Sequence, residues 1–491
     1  MFKHTLNIIL IVFTLISTTK LKGQEITFQQ KDGTYSEAKE LNQKANGYKG
    51  IWYMNQPSQD EYVYKYSGGL ATYTAKHRPF AIYVKAVNKT FFCFGGTDSK
   101  NSTLFHNVSY FNHETGSVAN PTTVLDKQTT DAHDNPVISL DDDGYIWIFS
   151  TSHGTTRPSY IYRSHKPYNI EKFEKVNATE LVDGDKHPFN NFSYFQVYFV
   201  RGKGFFAFFT KYKKNTGNRV IGFNTSKDGK QWNEWQVIAH IEEGHYGISA
   251  EFRGRISIAF NYHPKGKGLN YRTNLYYLET SDFGKTWHTV KNEKIILPLT
   301  EIDNPALVKD YKSIGLNCYL KDLNYDGTGN PVILVLSSKG YQSGPTNDPR
   351  TWEIFSYKDG WNQNKVTTSD NNYDMGSLYI ESDSIWRIIA PTGPGPQEYN
   401  PGGEIEMWVS QDKGKSWERS KGLTSNSSRN HTYVRRPIHA HPDFYGIWAD
   451  GHGRKPSISQ LYYCNRDGTV CILPMDMNKH EGKPKPFNPA K

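Results

Sequence analysis

Apolar and polar residues alternate with a period of two along most of this chain. FAIYVKAV, YIWIFS, GFFAFFTKY, RISIAFNY, NLYYLETS, PVILVLSS, SLYIES, EIEMWVSQ and QLYYCN follow one another, separated by turns rich in Gly, Asn and Asp. Every second side chain of a strand faces the same side of its sheet, so such runs are half-buried strands. The i, i+3, i+4 spacing of an amphipathic helix is nearly absent. Regularly spaced short strands with turn signals predict an all-β architecture. No Pro/Ser-rich tract, charge block or low-complexity segment interrupts the pattern, so residues 24–491 read as one domain.

A repeat narrows the architecture. SKDGKQW (Ser226–Trp232), SDFGKTW (Ser281–Trp287) and SQDKGKSW (Ser410–Trp417) share a Ser, an Asp, a Gly and a closing Trp. They resemble the Asp-box of sialidase-type (BNR) propellers, a structural turn between the outer strands of a blade, to which no chemistry is assigned. A period of roughly sixty residues reads as a propeller. It predicts seven blades of four antiparallel strands, with Leu461–Leu473 completing or abutting the first blade so that no sheet edge is left free.

Composition changes the picture at three points. Lys3 and His4 precede the apolar run Leu6–Ile16, and small and polar residues follow up to Gly23. A basic start and an apolar stretch this short read as a secretory signal over residues 1–23. Its removal takes three lysines and no acid from a net charge of +9, leaving +6. No later apolar run is long enough to span a bilayer. The expectation is an exported, monomeric protein without membrane insertion or a nucleic-acid partner. The four cysteines include Cys464 and Cys471 on either side of NRDGTV. A two-residue Asp467-Gly468 turn would set them opposite each other, as a disulfide or as ligands of a metal together with a histidine. Cys93 and Cys318, in apolar strands, read as buried thiols. The acidic turn Asp141-Asp142-Asp143 has a calcium-like composition, but such turns are more often only solvated.

Candidate chemistry concentrates in DAHDNPVISLDDDGYIWIFSTSHG, residues 131–154. It reads as a loop, a strand from Pro136 to Leu140, a tight turn and a strand from Tyr145 to Ser150. An antiparallel hairpin brings its outer ends together, so His133 and His153 are expected to meet. Three further stretches are dense in functional side chains: Tyr48–Pro79; Asn190–Val200 with Phe208–Arg219; and Asn430–Arg454, which holds His431, Arg435, Arg436, His439, His441 and His452. Histidines, arginines and tyrosines at strand ends suit an anionic sugar, with cations for the carboxylate or sulfate and aromatic faces for the rings.

DAHDNP with SHG twenty residues on, SYFQ, and the late HTYVRRP and AHPDFYGIWADGHGR resemble the BNR-repeat carbohydrate-active propellers. These include propeller-type ulvan lyases and α-L-rhamnosidases acting on rhamnosyl-α-1,4-glucuronate. The resemblance implies a secreted polysaccharide lyase that cleaves rhamnose–uronate linkages of an anionic polysaccharide by β-elimination; no cofactor is expected to be required, and a structural zinc or calcium ion is left open by the cysteines and the acidic turn. Elimination needs a base for the C5 proton, an acid for the departing O4, and a cation to neutralise the carboxylate as the carbanion develops. By resemblance His133 is the acid/base, His153 its partner and Tyr194 the tyrosine, with Tyr198 a rival for that role. Where the family places an arginine this chain reads Phe209-Thr210-Lys211, so the cation falls to Lys211 or Arg219, with Arg435 and Arg436 in reserve. The rhamnosidase alternative rests on KHRP and needs His77 in a pocket on the opposite face. A non-catalytic sugar-binding propeller is the third reading.

Overall fold

The computed structural model describes residues 37–212 and 219–487; the expected export signal lies outside them. Among the described residues secondary structure is almost entirely β. The exceptions are three one-turn 3-10 helices, Lys85–Val87, Ala132–Asp134 and Pro345–Asn347. Among the described residues no helix is long and apolar enough to cross a membrane.

Three four-stranded antiparallel meanders stand as separate sheets. They are Pro136–Leu140, Ile146–Ser150, Tyr160–Ser164 and Phe173–Val176; Asn317–Tyr325, Pro331–Ser338, Arg350–Tyr357 and Trp361–Ser369; and Ser377–Ile380, Trp386–Gly393, Glu404–Ser410 and Glu418–Gly422. Two further meanders, starting at Ser193–Val200 and Gly247–Phe252, carry additional outer strands. The first and last groups of strands merge into one sheet. Lys49–Gly50 pairs on one side with Ser459–Cys464 and on the other with Gly96 of Lys89–Thr97. Glu481–Gly482 adds a second tie to Ser117–Ala119. The expected abutment of the C-terminal strands on the first sheet is therefore present, made by a two-residue bridging strand.

The first strands of successive meanders pack side by side around the ring. Pro136–Leu140 lies between Lys89–Thr97 and Ser193–Val200, then Gly247–Phe252, Asn317–Tyr325 and Ser377–Ile380 follow. Alternation sends half of each strand's side chains into the gap between neighbouring sheets. Aromatic rings fill these gaps: Phe149, Phe192, Phe195, Phe205 and Trp232 are all buried in one cluster. Near the ring axis charge replaces apolar packing. Arg78 donates to Asp322 at 2.6 Å, and Arg436 faces the other oxygen of that carboxylate at 3.5 Å.

The three repeated boxes share one hydrogen-bonding scheme. Asp228 accepts the amides of Lys230 and Gln231, Asp282 accepts that of Thr286, and Asp412 accepts that of Ser416. Ser226 and Ser410 accept the amides of Gly229 and Gly414. In the middle copy Thr280, one residue ahead of the Ser in the motif, does the same for Gly284. Cys93 and Cys318 are buried thiols as expected, but the Cys464–Cys471 expectation is corrected. All four cysteines are free. Cys464 lies opposite Val470 and Cys471 opposite Tyr463. The turn is longer than two residues: Gly468 donates to Asn465 O with φ +79° and Asn465 donates to Thr469 O. That shifts the register by one, and a shift of one puts the two sulfurs on opposite faces.

The box at Gly229 also fixes one sheet to the next. Its φ is +72°, and a Cβ there would come within 2.7 Å of the Trp147 ring of the preceding sheet. Gly229→Val should cost at least about 2 kcal/mol, from left-handed strain and overpacking together. Urea unfolding of variant and parent measures this; equal midpoints would contradict the packing argument.

Candidate active site

The hairpin forms as expected, with Pro136 opposite Ser150 and Leu140 opposite Ile146. Its outer ends carry the two histidines, whose rings stack at 3.9 Å between centroids. What holds them there is Asp131. Its Oδ1 caps the Ala132–Asp134 turn by accepting the His133 amide at 3.0 Å, and it also takes the His133 Nδ1 proton at 2.5 Å. Its Oδ2 meets His153 Nδ1 at 2.8 Å and Arg157 at 3.3 Å. Arg157 is anchored in turn by Asp134 at 2.7 Å. Asn135 fastens the assembly to the preceding loop by donating to Leu70 O and Tyr73 O.

With Nδ1 committed to Asp131, Nε2 of His133 faces outward. The Tyr66 and Tyr73 hydroxyls each lie 2.8 Å from it and 2.8 Å from one another. Burial, and next the adjoining His153, push His133 down to about 4 against the pull of Asp131. Burial would raise the Asp131 carboxyl, but the two imidazoles hold it well below the usual carboxylate range. At neutral pH the pair is therefore a carboxylate bonded to a neutral imidazole that presents a lone pair.

These groups open into a cavity of about 160 Å³ lined also by Lys65, Tyr194, Arg219, Tyr246, Arg272, Tyr373 and Tyr433. Tyr194 reaches it from a β-bulge: the register of Ser193–Val200 shifts between Ser193 and Gln196, and Tyr194 takes φ +53°. Tyr433 does the same at the bulge in Asn430–Arg435. A bulge re-aims one side chain without disturbing the rest of its strand. Arg219 donates to the Tyr194 hydroxyl at 3.2 Å and to that of Tyr246. Arg272 lies over the rings of Tyr246 at 4.5 Å and Tyr319 at 4.4 Å. Burial raises the Tyr194 phenol well above its ordinary value despite Arg219, so it stays protonated. Burial acts the same way on Tyr246, but Arg219 and Arg272 outweigh it and bring that phenol down. Burial and the two guanidiniums also lower Lys65 to about 8. No carboxylate lines the cavity among the described residues. The cavity is a cationic, tyrosine-rich pocket for an anionic ligand.

The structure thus brings His133, His153, Tyr194 and Arg219 together, and separates the other sequence candidates from them. Tyr198 lies beyond the bulge and donates to or accepts from Ser249 at 3.0 Å, in the axial region. Lys211 is paired with Glu180 at 2.5 Å, so its charge is already used. Arg435 donates to the backbone carbonyls of Thr74 and His77 and packs over Phe80; Arg436 belongs to the Asp322 cluster. His77 is fully buried, and neither ring nitrogen has a hydrogen-bond partner among the described residues. It therefore opens on no pocket of the opposite face, as the rhamnosidase alternative requires. Of the late histidine-rich stretch only Tyr433 reaches the cavity. Missed in the sequence were Asp131, Tyr66 and Tyr73, all inside stretches already singled out, and Tyr246 and Arg272, which lie in none of them. An Asp two residues before a histidine at a strand entrance was the readable sign of a capped turn.

Sheets in cyclic order around a cationic tyrosine-lined pocket define a propeller-like all-β protein with a pocket suited to an anionic ligand. The chain belongs to the BNR repeat-containing family, whose sequence profile matches residues 54–369, more than half of its length. It is 25% identical over 342 residues to an ulvan lyase of Nonlabens ulvanivorans, covering 65% of this chain and 70% of the relative. A solved polysaccharide lyase of family PL25, an ulvan lyase, superposes with a TM-score of 0.67 at 18% identity, over 86% of this chain and 96% of that one. The structure of the same kind of enzyme bound to -[GlcA(1-4)Rha3S]- gives 0.67 at 17% identity, with the same coverage.

Asp131→Asn removes the charge that two imidazoles and Arg157 share. The expected loss is at the lower end of the roughly 3–5 kcal/mol that breaking a buried ion pair costs. Because the folded-state carboxyl is held below its unfolded value, that stability is present above the ordinary carboxylate range and is lost as pH falls through the folded value. Denaturant melts of parent and variant should therefore differ at pH 7 and converge in acid; a difference that persists unchanged in acid would contradict the assignment.

Proposed function

We propose that this chain is an exported, monomeric polysaccharide lyase that cleaves rhamnose–uronate linkages of ulvan by β-elimination. The observation that carries the reading is the pairing, in one pocket, of a neutral histidine with its lone pair outward and two guanidiniums that no carboxylate opposes among the described residues. The similarity to ulvan lyases in sequence and fold supports it. We also read the strand groups as seven blades of four strands, the first and last fused by Lys49–Gly50.

In this reading the uronate carboxylate sits against Arg219 and Arg272, which draw off charge as the carbanion forms. The C5 proton passes to His133 Nε2, the Tyr66 and Tyr73 hydroxyls beside it acting as a relay. The C5–H electron pair becomes the C4–C5 double bond, and the C4–O bond breaks. Tyr194, protonated and oriented by Arg219, gives its proton to the departing oxygen. Solvent then restores the proton to Tyr194 and takes the one held by His133. Asp131 keeps the imidazole in the tautomer this sequence needs, and His153, 25% exposed at the pocket mouth, flanks the ring and the incoming sugar.

Two measurements test this. Tyr194→Phe removes one hydroxyl and keeps the ring, and His133→Gln removes the base. Each should lower formation of the ultraviolet-absorbing unsaturated uronate from ulvan by about 10²–10⁴, with Tyr194→Phe melting close to the parent. Folded variants that both retain parental rates would reject the roles. The acid limb of kcat/KM should fall near pH 4, where His133 gains its proton, and not near the ordinary histidine value. A limb centred at the ordinary value would mean that the base is another group.

A further inference from the structure

A second cluster of ligand-type side chains stands where the ring closes, apart from the pocket. His113 follows the Leu104–Asn112 strand of the first sheet, and His441 and Asp443 belong to the loop entering Gly446–Gly451 of the last. One ligand atom from each of the three lies within 4.8 Å of the others. The imidazole rings of His113 and His441 sit 3.9 Å apart between centroids, with Tyr83 packed against both. Asp443 Oδ2 is 3.8 Å from His113 Nδ1 and 3.6 Å from His441 Nδ1.

His113 is the telling residue. Its side chain is 1% exposed, yet Nδ1 has no hydrogen-bond partner among the described residues. Nε2 is engaged by the buried Thr90 hydroxyl at 2.9 Å. An imidazole held by its far nitrogen, with the near lone pair aimed at a second imidazole and a carboxylate, has the outer-partner arrangement of a metal-bound histidine. The other side of the cluster is also fixed. The Asp443 amide meets His441 Nδ1 at 3.2 Å, a contact that a metal ion on that nitrogen displaces, and Phe444 donates to His441 O at 3.0 Å while its ring stacks on Phe92 at 5.3 Å. Tetrahedral zinc bonds of about 2.0–2.1 Å place donor atoms roughly 3.4 Å apart, so the two nitrogen–oxygen separations need to close by only a few tenths of an ångström. Two imidazoles and one carboxylate suit zinc and not the all-oxygen shell of calcium. Asp443, 58% exposed, leaves the remaining position to water.

We propose that His113, His441 and Asp443 bind one zinc ion that clips the first sheet to the last. The clip spans a seam also held by the short Lys49–Gly50 bridge, by Glu481–Gly482 on Ser117–Ala119, and by the Ala81–Ile438 and Tyr83–Ile438 backbone bonds. It joins residues far apart in sequence, where a cross-link restricts the unfolded chain most. Occupancy stabilises the closed ring, because the site exists only when both ends are in place.

The test is zinc titration of the chelator-treated whole protein, with dialysis to count bound metal and thermal melts at each point. One equivalent should bind and raise the melting temperature. Asp443→Asn and His441→Gln should each weaken binding by at least the about 10–100-fold that follows loss of a mere outer partner, and remove the thermal gain. Absence of a bound equivalent in the parent overturns the proposal. So does binding that survives in both variants, since the ion would then sit elsewhere, for instance at His133 and His153. Cobalt(II) in the unmodified protein gives a check that needs no variant: intense four- or five-coordinate bands are expected, and the weak spectrum of hydrated octahedral cobalt would refute the site.

Discussion

One buried carboxylate organises the pocket. Asp131 spends one oxygen on the turn that delivers His133 and on the His133 ring itself, and the other on His153 and Arg157. A carboxylate so deeply buried would be costly alone; donors on both oxygens keep it ionised. The consequence passes outward through the imidazole. Because Nδ1 must donate, Nε2 must accept, and the hydroxyls of Tyr66 and Tyr73 gather on it. Burial of the pair keeps the ring neutral at physiological pH. A base of fixed tautomer and fixed direction thus follows from one side chain that never touches the cavity.

The opposite wall depends on a different device. Strands packed face to face cannot aim every side chain at one point, since alternation commits each residue to one sheet face or the other. Bulges at Tyr194 and Tyr433 break that commitment locally, and both residues take φ +53°. Arg219 and Arg272 then fill the space among Tyr194, Tyr246 and Tyr319, and among the described residues no carboxylate lines the cavity beside them. Their charge is left for a ligand. At the ring axis the reverse holds: Arg78 donates to Asp322 and Arg436 faces the other oxygen of the same carboxylate, so charge there is paired within the fold.

The difference explains what could be read in the sequence. Period-two alternation and the Ser-Asp-Gly-Trp boxes are local patterns, and they gave the all-β fold, the hairpin and the meeting of His133 with His153. Tyr194 was reached by resemblance, and Arg219 as one of two cations that could replace the family's arginine. Tyr198 was misplaced because a bulge leaves no mark in alternating apolar sequence. Lys211, Arg435 and Arg436 were named for their charge, yet whether a cation is free depends on partners distant in sequence: Glu180 is 31 residues from Lys211. Arg272 lay outside every conspicuous stretch for the same reason, its importance set by Tyr246, Tyr319 and Tyr373, which are distant in sequence. The Cys464–Cys471 register failed on one extra turn residue. His77 stood in a conspicuous KHRP segment and proved to be core.

The central claim is that the pocket breaks the bond between rhamnose and uronate by elimination, without adding water. Mass spectrometry of the products from a defined rhamnosyl-glucuronate oligosaccharide of ulvan decides it. Elimination predicts two fragments whose masses sum to that of the substrate, the one with the uronate at its non-reducing end lacking the elements of water. Fragments that sum to the substrate plus one water would mean hydrolysis, and would contradict the account.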